Sequence, residues 1–517
     1  MKNYSILLMA LLAGCASTGL TPQEETTAPA ADAVIDYTGT TASWMADGEN
    51  AVKNRIAQRT NKRRAKNVIL FVGDGMGFST LTAGRILEAQ LEGKPGEENY
   101  LSFERFPNTA LVKTYNVDGQ VSDSPSTATA LNTGTKTKMG TINTAPTHTR
   151  SVCKDYMVDA PKPIAQYAEQ IGMSTGIVTT TSLTHATPAA VYAHSPERDW
   201  EADFSLPDEA RENGCPDVAA QILGNMGGDG LEVALGGGSR YMVPYVGEIE
   251  EPAEGEKPPR PKGRADGLNI PEVWVSSRAG SKYVTNKTDL LKTDYKATSR
   301  LLGLFSPGHM NFDALRGENE PELADMTEAA IKMLSKNKNG YYLMVEAGRI
   351  DHGHHGNLAN LALHDTVALS KAVRRALELV DLKETLIVVT ADHSHTFTLS
   401  GYPKRGNPIL GLVSAPGMAD DEYLLAKDGK PYTTIGYQNG SNAVLGERAH
   451  LTQKEVLDPM FKQQSLIPLN YETHAGEDVA AFAIGPWSHL MRGTIEQNEI
   501  FHVIDHALKL RKRAARK

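Results

Sequence analysis

The chain has 517 residues, is 40% hydrophobic and 22% charged, and carries a net charge of −9 with a pI near 6.0. Such a length suits one large α/β domain with insertions, or two domains. The acidic balance leaves no electrostatic footprint for nucleic acid, so no nucleic-acid partner is expected.

From the N-terminus, Lys2 precedes an apolar run from Ile6 to Leu12, too short to span a bilayer but of the length of a signal-peptide core. It ends in Leu12-Ala13-Gly14-Cys15, which resembles the lipobox of bacterial lipoproteins. The resemblance implies a signal peptide over residues 1–14 and acylation of Cys15. Export then places the protein on the periplasmic side of a membrane, the outer membrane foremost, or at the cell surface. An ordinary signal peptide with an incidental cysteine is the alternative. Residues 15–60 read as the lipidated cysteine and a flexible tether. Cys153 and Cys215 remain, and an even pair in an exported chain suggests one disulfide closing a loop of about 60 residues.

Buried strands are predicted at Asn67–Gly73, Ser174–Thr181, Leu231–Gly236, Tyr341–Ala347, Thr385–Asp392 and Asp478–Pro486. Each is a continuous apolar run rather than an alternating one, as in strands covered on both faces. Helical spacing marks Pro321–Asn337 and Leu358–Asp381. Alternation of this kind predicts an α/β fold with a mostly parallel, doubly wound central sheet and helices on both faces. The Pro- and charge-rich stretch 247–268 reads as a surface loop. Residues 400–470, rich in Gly, Pro and Asn, read as an inserted subdomain on the rim of the site. They divide an α/β domain spanning 61–399 and 471–510. The cations of the closing segment, with residues 511–517 as a basic tail, read as the solvated end of a C-terminal helix, with contact to an anionic surface as the alternative.

Functional groups of open parallel sheets gather beyond the carboxyl ends of the strands. Asp74, Glu346 and Asp392 each occupy that position, and Gly73, Gly75 and Gly77 let backbone approach a bound group near Asp74. Any one of these acids alone is most simply a turn or cap residue. Three together, with His393 and His395 beside Asp392, predict buried carboxylates neutralised by cations. The run Asp351-His352-Gly353-His354-His355 adds a carboxylate and an imidazole at i, i+4 spacing, the ligand types zinc prefers. His474 precedes the last strand and His185 and Thr187 follow the second, so each can reach the same rim. Ser124, followed by Pro125 at the head of an Ala/Thr-rich helix, reads either as a plain N-cap or as a nucleophile at an anion-binding helix end.

Six segments, Asn67–Phe78, Asp123–Ala130, Val178–Ser195, Gly348–Gly356, Thr390–Thr396 and Thr473–Ala481, stand in the order found in the alkaline phosphatase family, which the chain resembles over about residues 66–505. That resemblance implies hydrolysis of phosphate monoesters through a phosphoserine on Ser124, with two zinc ions and one magnesium ion. It assigns one zinc to Asp351, His355 and His474, and the other to Asp74, Asp392 and His393. Magnesium falls to Asp74, Glu346 and Thr187, with His185 in its outer shell, and phosphate binding to Arg198. His352 and His395 are implied to tune the site without binding zinc. The cysteines fall where animal members carry a disulfide, and the insertion corresponds to the family's crown, near the interface of an expected homodimer. Three departures stand out. Pro125 removes a backbone donor beside the serine, Ser306 replaces a carboxylate of the animal calcium site, and the lipobox is not general to the family. A phosphodiesterase or sulfatase on the same scaffold, and a phosphate-binding protein without turnover, are the rival readings.

Overall fold

The computed structural model describes residues 39–246 and 262–517. The expected signal peptide, Cys15 and most of the charged stretch 247–268 lie outside the described residues. Thr41–Ala57 is a helix, within the stretch expected to be a tether, and the Thr40 hydroxyl caps it by accepting from the Ser43 N–H.

The strands are β1 (Asn67–Gly73), β2 (Asn108–Lys113), β3 (Ser174–Ser182), β4 (Val233–Gly237), β5 (Ser281–Val284), β6 (Arg300–Leu304), β7 (Tyr341–Ala347) and β8 (Thr385–Ala391). They are followed by β9 (Ser394–His395), β10 (Phe397–Leu399), β11 (Ile435–Gly440), β12 (Ser465–Pro468), β13 (His474–Ala475), β14 (Val479–Ile484) and β15 (Gly493–Glu496). Ten of them form one sheet in the order β15-β2-β14-β8-β1-β7-β3-β4-β6-β5. Only β14 runs against its neighbours β8 and β2. Every residue of β3, β7 and β8 is buried, the consequence of helices covering both faces. The helices Leu323–Leu334 and Ala359–Leu379 pack together over β7, while Ser124–Thr133 and Ala186–Tyr192 pack together elsewhere on the sheet.

Register decides what happens at the end of the sheet. Val72 of β1 pairs with Glu346 of β7, and Gly73 pairs with Ala391 of β8. The residues that follow, Asp74 and Asp392, therefore leave the sheet side by side next to Glu346. A one-residue slip in either pairing would turn one of these carboxylates to the opposite face.

Three expectations change at this level. Strands β2, β5, β6 and β15 were not legible as buried runs. β2 has the half-exposed burial of an antiparallel strand, and β5, β6 and β15 span only four or five residues. Arg264, within the predicted surface loop, is instead buried, because Asp217 at 2.8 Å and Asp266 at 2.6 Å neutralise its guanidinium and satisfy its donors. Asp123 rather than Ser124 is the N-cap of the helix Ser124–Thr133, so the serine takes the first helical position and Pro125 the second. Cys153 and Cys215 form a disulfide, 62 residues apart in sequence. Between β10 and β13 the chain builds a small three-stranded sheet, β10-β11-β12.

Candidate active site

Four strand ends and the antiparallel pair β9–β13 bring the predicted residues into three adjoining groups of ligand atoms. In the first, the Asp351 carboxylate Oδ1 lies 3.3 Å from His355 Nε2 and 3.3 Å from His474 Nε2. The two imidazole nitrogens are 3.1 Å apart. Their tautomers follow from the partners on the other side of each ring. His355 Nδ1 meets the Glu472 carbonyl at 2.5 Å and His474 Nδ1 meets the Ser122 carbonyl at 2.7 Å. A carbonyl only accepts, so both Nδ1 atoms donate and both Nε2 atoms of the neutral rings present bare lone pairs. Two lone pairs and a carboxylate oxygen at these distances repel unless a cation lies among them, and this donor set suits zinc.

The second group is Asp74, Asp392 and His393, all wholly buried. His393 Nε2 lies 3.3 Å from Asp74 Oδ1 and 3.4 Å from Asp392 Oδ2, and Ser124 Oγ is 3.2 Å from the same nitrogen. Both oxygens of Asp74 and Nδ1 of His393 have no hydrogen-bond partner among the described residues. Burial, with Asp392, Asp351 and Glu346 nearby, pushes the Asp74 carboxyl well above the usual carboxylate range. Asp392 is better supported, accepting from Gly75 N at 3.0 Å and Thr127 Oγ1 at 3.2 Å. Gly75 has φ of +71°, and a Cβ there would meet the His395 ring at 2.4 Å, so only glycine brings this N–H to Asp392.

The third group joins Asp74 to Glu346 and His185, with His185 Nδ1 3.9 Å from Glu346 Oε1. Glu346 Oε1, His185 Nδ1 and Thr187 Oγ1 are buried and unpartnered among the described residues, although Glu346 Oε2 accepts from the Thr179 and Thr181 hydroxyls. Burial raises the Glu346 carboxyl to about 7. The orphaned carboxylate and hydroxyl oxygens fit a hard cation such as magnesium. Arg198 Nη2 donates to His185 Nε2 at 2.9 Å, which leaves the proton of the neutral ring on Nδ1. His185 thus faces Glu346 as a donor rather than as a ligand.

The remaining predicted residues lie one layer out. His395 bridges Asp351 Oδ1 at 2.8 Å and Glu472 Oε2 at 2.5 Å. Burial opposes its charge, but Glu472 and Asp351 together raise its imidazole to about 10. His352 Nδ1 accepts from Arg349 Nη1 at 2.9 Å, and its ring sits 5.5 Å from that of His185. The Ser306 carbonyl accepts from Gly238 N at 2.9 Å and Ser239 N at 3.0 Å.

Sequence reasoning missed three residues here. Glu472 is wholly buried; its carboxylate holds His395 and the Thr396 N–H and hydroxyl, while its carbonyl holds His355. Its place two residues before His474 was the available signal. His354 links Thr80 Oγ1 at 3.0 Å to Tyr437 of β11 at 2.8 Å. His309 packs 4.4 Å from His352 and follows β6, a strand too short to be recognised.

Comparison with known proteins adds an independent line. The family model described as alkaline phosphatase matches residues 65–510. The tissue-nonspecific alkaline phosphatase of Felis catus is 44% identical over 476 residues, covering 90% of this chain and 88% of its own. The alkaline phosphatase of Gadus morhua is 43% identical over 457 residues, covering 87% of this chain and 93% of its own. Among solved structures, the alkaline phosphatase of Thermus thermophilus superposes with a TM-score of 0.60 at 22% identity, covering 89% of this chain and 96% of its own, which speaks for the fold. A variant of the TAB5 enzyme, solved with Mg bound in its M3 site, has a TM-score of 0.58 at 25% identity, covering 87% of this chain and 99% of its own.

Proposed function

This chain belongs to the alkaline phosphatase family, and from that premise we propose that it hydrolyses phosphate monoesters through a phosphoserine formed on Ser124. The observation that carries the reading is the position of Ser124 Oγ, 3.2 Å from His393 Nε2 and beside two buried carboxylates that need a cation. The first group, Asp351, His355 and His474, would hold one zinc, and Asp74, Asp392 and His393 the other. Asp74, Glu346 and Thr187 would hold magnesium, a cation that the TAB5 variant also binds, in a site called M3. Bound there, such cations lower the pKa of an adjacent hydroxyl and neutralise charge gathering on the entering and leaving oxygens.

Ser124 Oγ, as its alkoxide, forms the bond to phosphorus in line with the ester oxygen, and the P–O bond to that oxygen breaks. The alcohol leaves with a proton from solvent. Water then displaces Ser124 Oγ from phosphorus along the same axis, releasing inorganic phosphate and restoring the serine. The helix beginning at Ser124 presents its N-terminal dipole to the phosphoryl oxygens. Arg198, oriented by His185, supplies a guanidinium for two non-bridging oxygens. Glu472 and His395 hold Asp351 and His355 at fixed angles, so that little reorganisation accompanies the reaction. The side chains of His355 and His474 are 28% and 14% exposed while the second group is wholly buried, so the leaving alcohol faces solvent on the first group's side.

Acylation of Cys15 and residence on the periplasmic side of a membrane are part of the same reading. The lipobox and the Cys153–Cys215 disulfide support it, since disulfides persist in oxidising compartments. A homodimer is supported by exposed apolar residues of β12 and its continuation, with Leu466 76% and Tyr471 60% exposed.

Turnover of p-nitrophenyl phosphate, its bis-ester and the corresponding sulfate tests the assignment. Hydrolysis of the monoester, abolished by EDTA and restored by zinc with magnesium, is expected. Preference for the diester or sulfate, or indifference to chelation, overturns it.

A further inference from the structure

The basic tail noted in the sequence does not stand alone. Residues 53–66 contain seven lysines and arginines and no carboxylate, and residues 507–517 contain six and no carboxylate, in a chain of net charge −9. The fold joins these distant segments. Ala65 N–H donates to the Ala507 carbonyl at 2.9 Å, Trp487 N–H donates to the Asn61 carbonyl at 2.8 Å, and Arg64 lies close enough to Arg513 to lower its pKa further, beyond the effect of burial.

Arg55, Arg59, Lys62, Arg63 and Arg64 are exposed and have no carboxylate within ion-pair distance among the described residues. The same holds for Lys512, Arg516 and Lys517, whereas Lys66 and Arg511 pair with Glu384 and Asp505. Arg55, Arg59 and Arg105 also line a cleft of about 520 Å³ with His489, whose Nδ1 is buried without a hydrogen-bond partner among the described residues. Lys62, Arg492 and His506 add positive potential around that ring.

Residue 66 leads into the start of β1, and the catalytic Asp74 leaves its other end about 20 Å away at ordinary strand rise. The basic face is therefore at the end of the sheet opposite the phosphatase site. On the helix Thr41–Ala57, Val52 and Ile56, four residues apart and 53% and 76% exposed, lie beside Lys53 and Arg55; the same line continues through the exposed Glu49 to Met45.

We propose that this face docks on a membrane surface bearing anionic head groups, with the catalytic opening turned away from the lipid. Only the C-terminal end of this helix, with Val52 and Ile56 as a short aliphatic stripe flanked by Lys53 and Arg55, suits a lipid interface, where the stripe enters the head-group layer and the cations meet phosphates. A nucleic acid offers nothing to such a stripe. The proposal is independent of the phosphatase mechanism and of acylation, since the cations and aliphatic side chains it uses all belong to residues 45–66 and 507–517.

The test uses the full chain with Cys15→Ser, so that no acyl group contributes. Co-sedimentation is measured with phosphatidylcholine vesicles with and without phosphatidylglycerol, at low and high salt. Binding only to the phosphatidylglycerol vesicles, weakened by salt, is expected. Neutralising Arg59, Arg63 and Arg64 to Gln, or Lys512, Arg513 and Arg516 to Gln, should weaken it by about fivefold per charge while p-nitrophenyl phosphate turnover is retained. Equal binding to both vesicle types, or triple variants that bind like the parent, overturns the proposal. Tighter binding to a DNA duplex than to the anionic vesicles also overturns it and makes the face a nucleic-acid surface.

Discussion

Pro125 occupies the second helical position directly behind Ser124 and is buried, so the anion-binding end of this helix lacks one of its free N–H groups. A hydrogen bond to a charged acceptor contributes about 1.5–3 kcal/mol, so Pro125→Ala should tighten inhibition by inorganic phosphate by about tenfold. An unchanged inhibition constant would show that this donor does not face the phosphate. The ligand-type residues of the site were legible because acids and imidazoles crowded just past buried strands repel one another unless a cation joins them. Glu472 and His354 were not, because their roles rest on what lies opposite them in space. A buried Glu beside a His is a common pair in sequence, and only the fold brings its carboxylate to His395 and its carbonyl to His355.

At the scale of elements, the six long apolar strands were legible because burial on both faces writes a continuous run. The strands missed are those whose sequence lacks that run. β2 lies between antiparallel β14 and parallel β15, and its outward residues Thr109 and Leu111 are exposed. The helix Ala359–Leu379 was legible from its spacing, yet it carries Asp365 on its buried side, with one oxygen accepting from Asp313 N at 3.0 Å. Burial pushes this carboxyl up to about 8. Because the folded value is raised, its contribution to stability is complete below the unfolded value, near 4, and is lost as pH rises toward 8. Asn in this place keeps the acceptor and never ionises. Asp365→Asn should therefore gain thermal stability relative to the parent between pH 5 and pH 8, with no further gain above that. Melting temperatures that run parallel across this range would rule out a buried ionisation at Asp365.

At the scale of the molecule, one sheet separates two chemistries. Its carboxyl end gathers Asp74, Glu346 and Asp392 from three strands, with Asp351 and His474 supplied by segments that follow β7 and precede β14. Its opposite end gathers cations from the two termini of the described chain. The sequence announced the first through residues of the right chemistry at strand ends. It concealed the second, because residues 53–60 read as tether and the basic tail as the solvated end of a helix, until β1 and the helix Glu499–Leu508 bring residues 53–66 and 507–517 together. We propose that the first end is a cage of cation-binding groups built around the hydroxyl of Ser124. Mass spectrometry of the protein quenched with acid during turnover of p-nitrophenyl phosphate is the decisive measurement. A phosphate adduct on the peptide carrying Ser124, absent after chelation and absent from Ser124→Ala together with turnover, is the predicted result. An adduct on another residue, or a Ser124→Ala protein that turns over at the parent rate, would rule out Ser124 as the nucleophile.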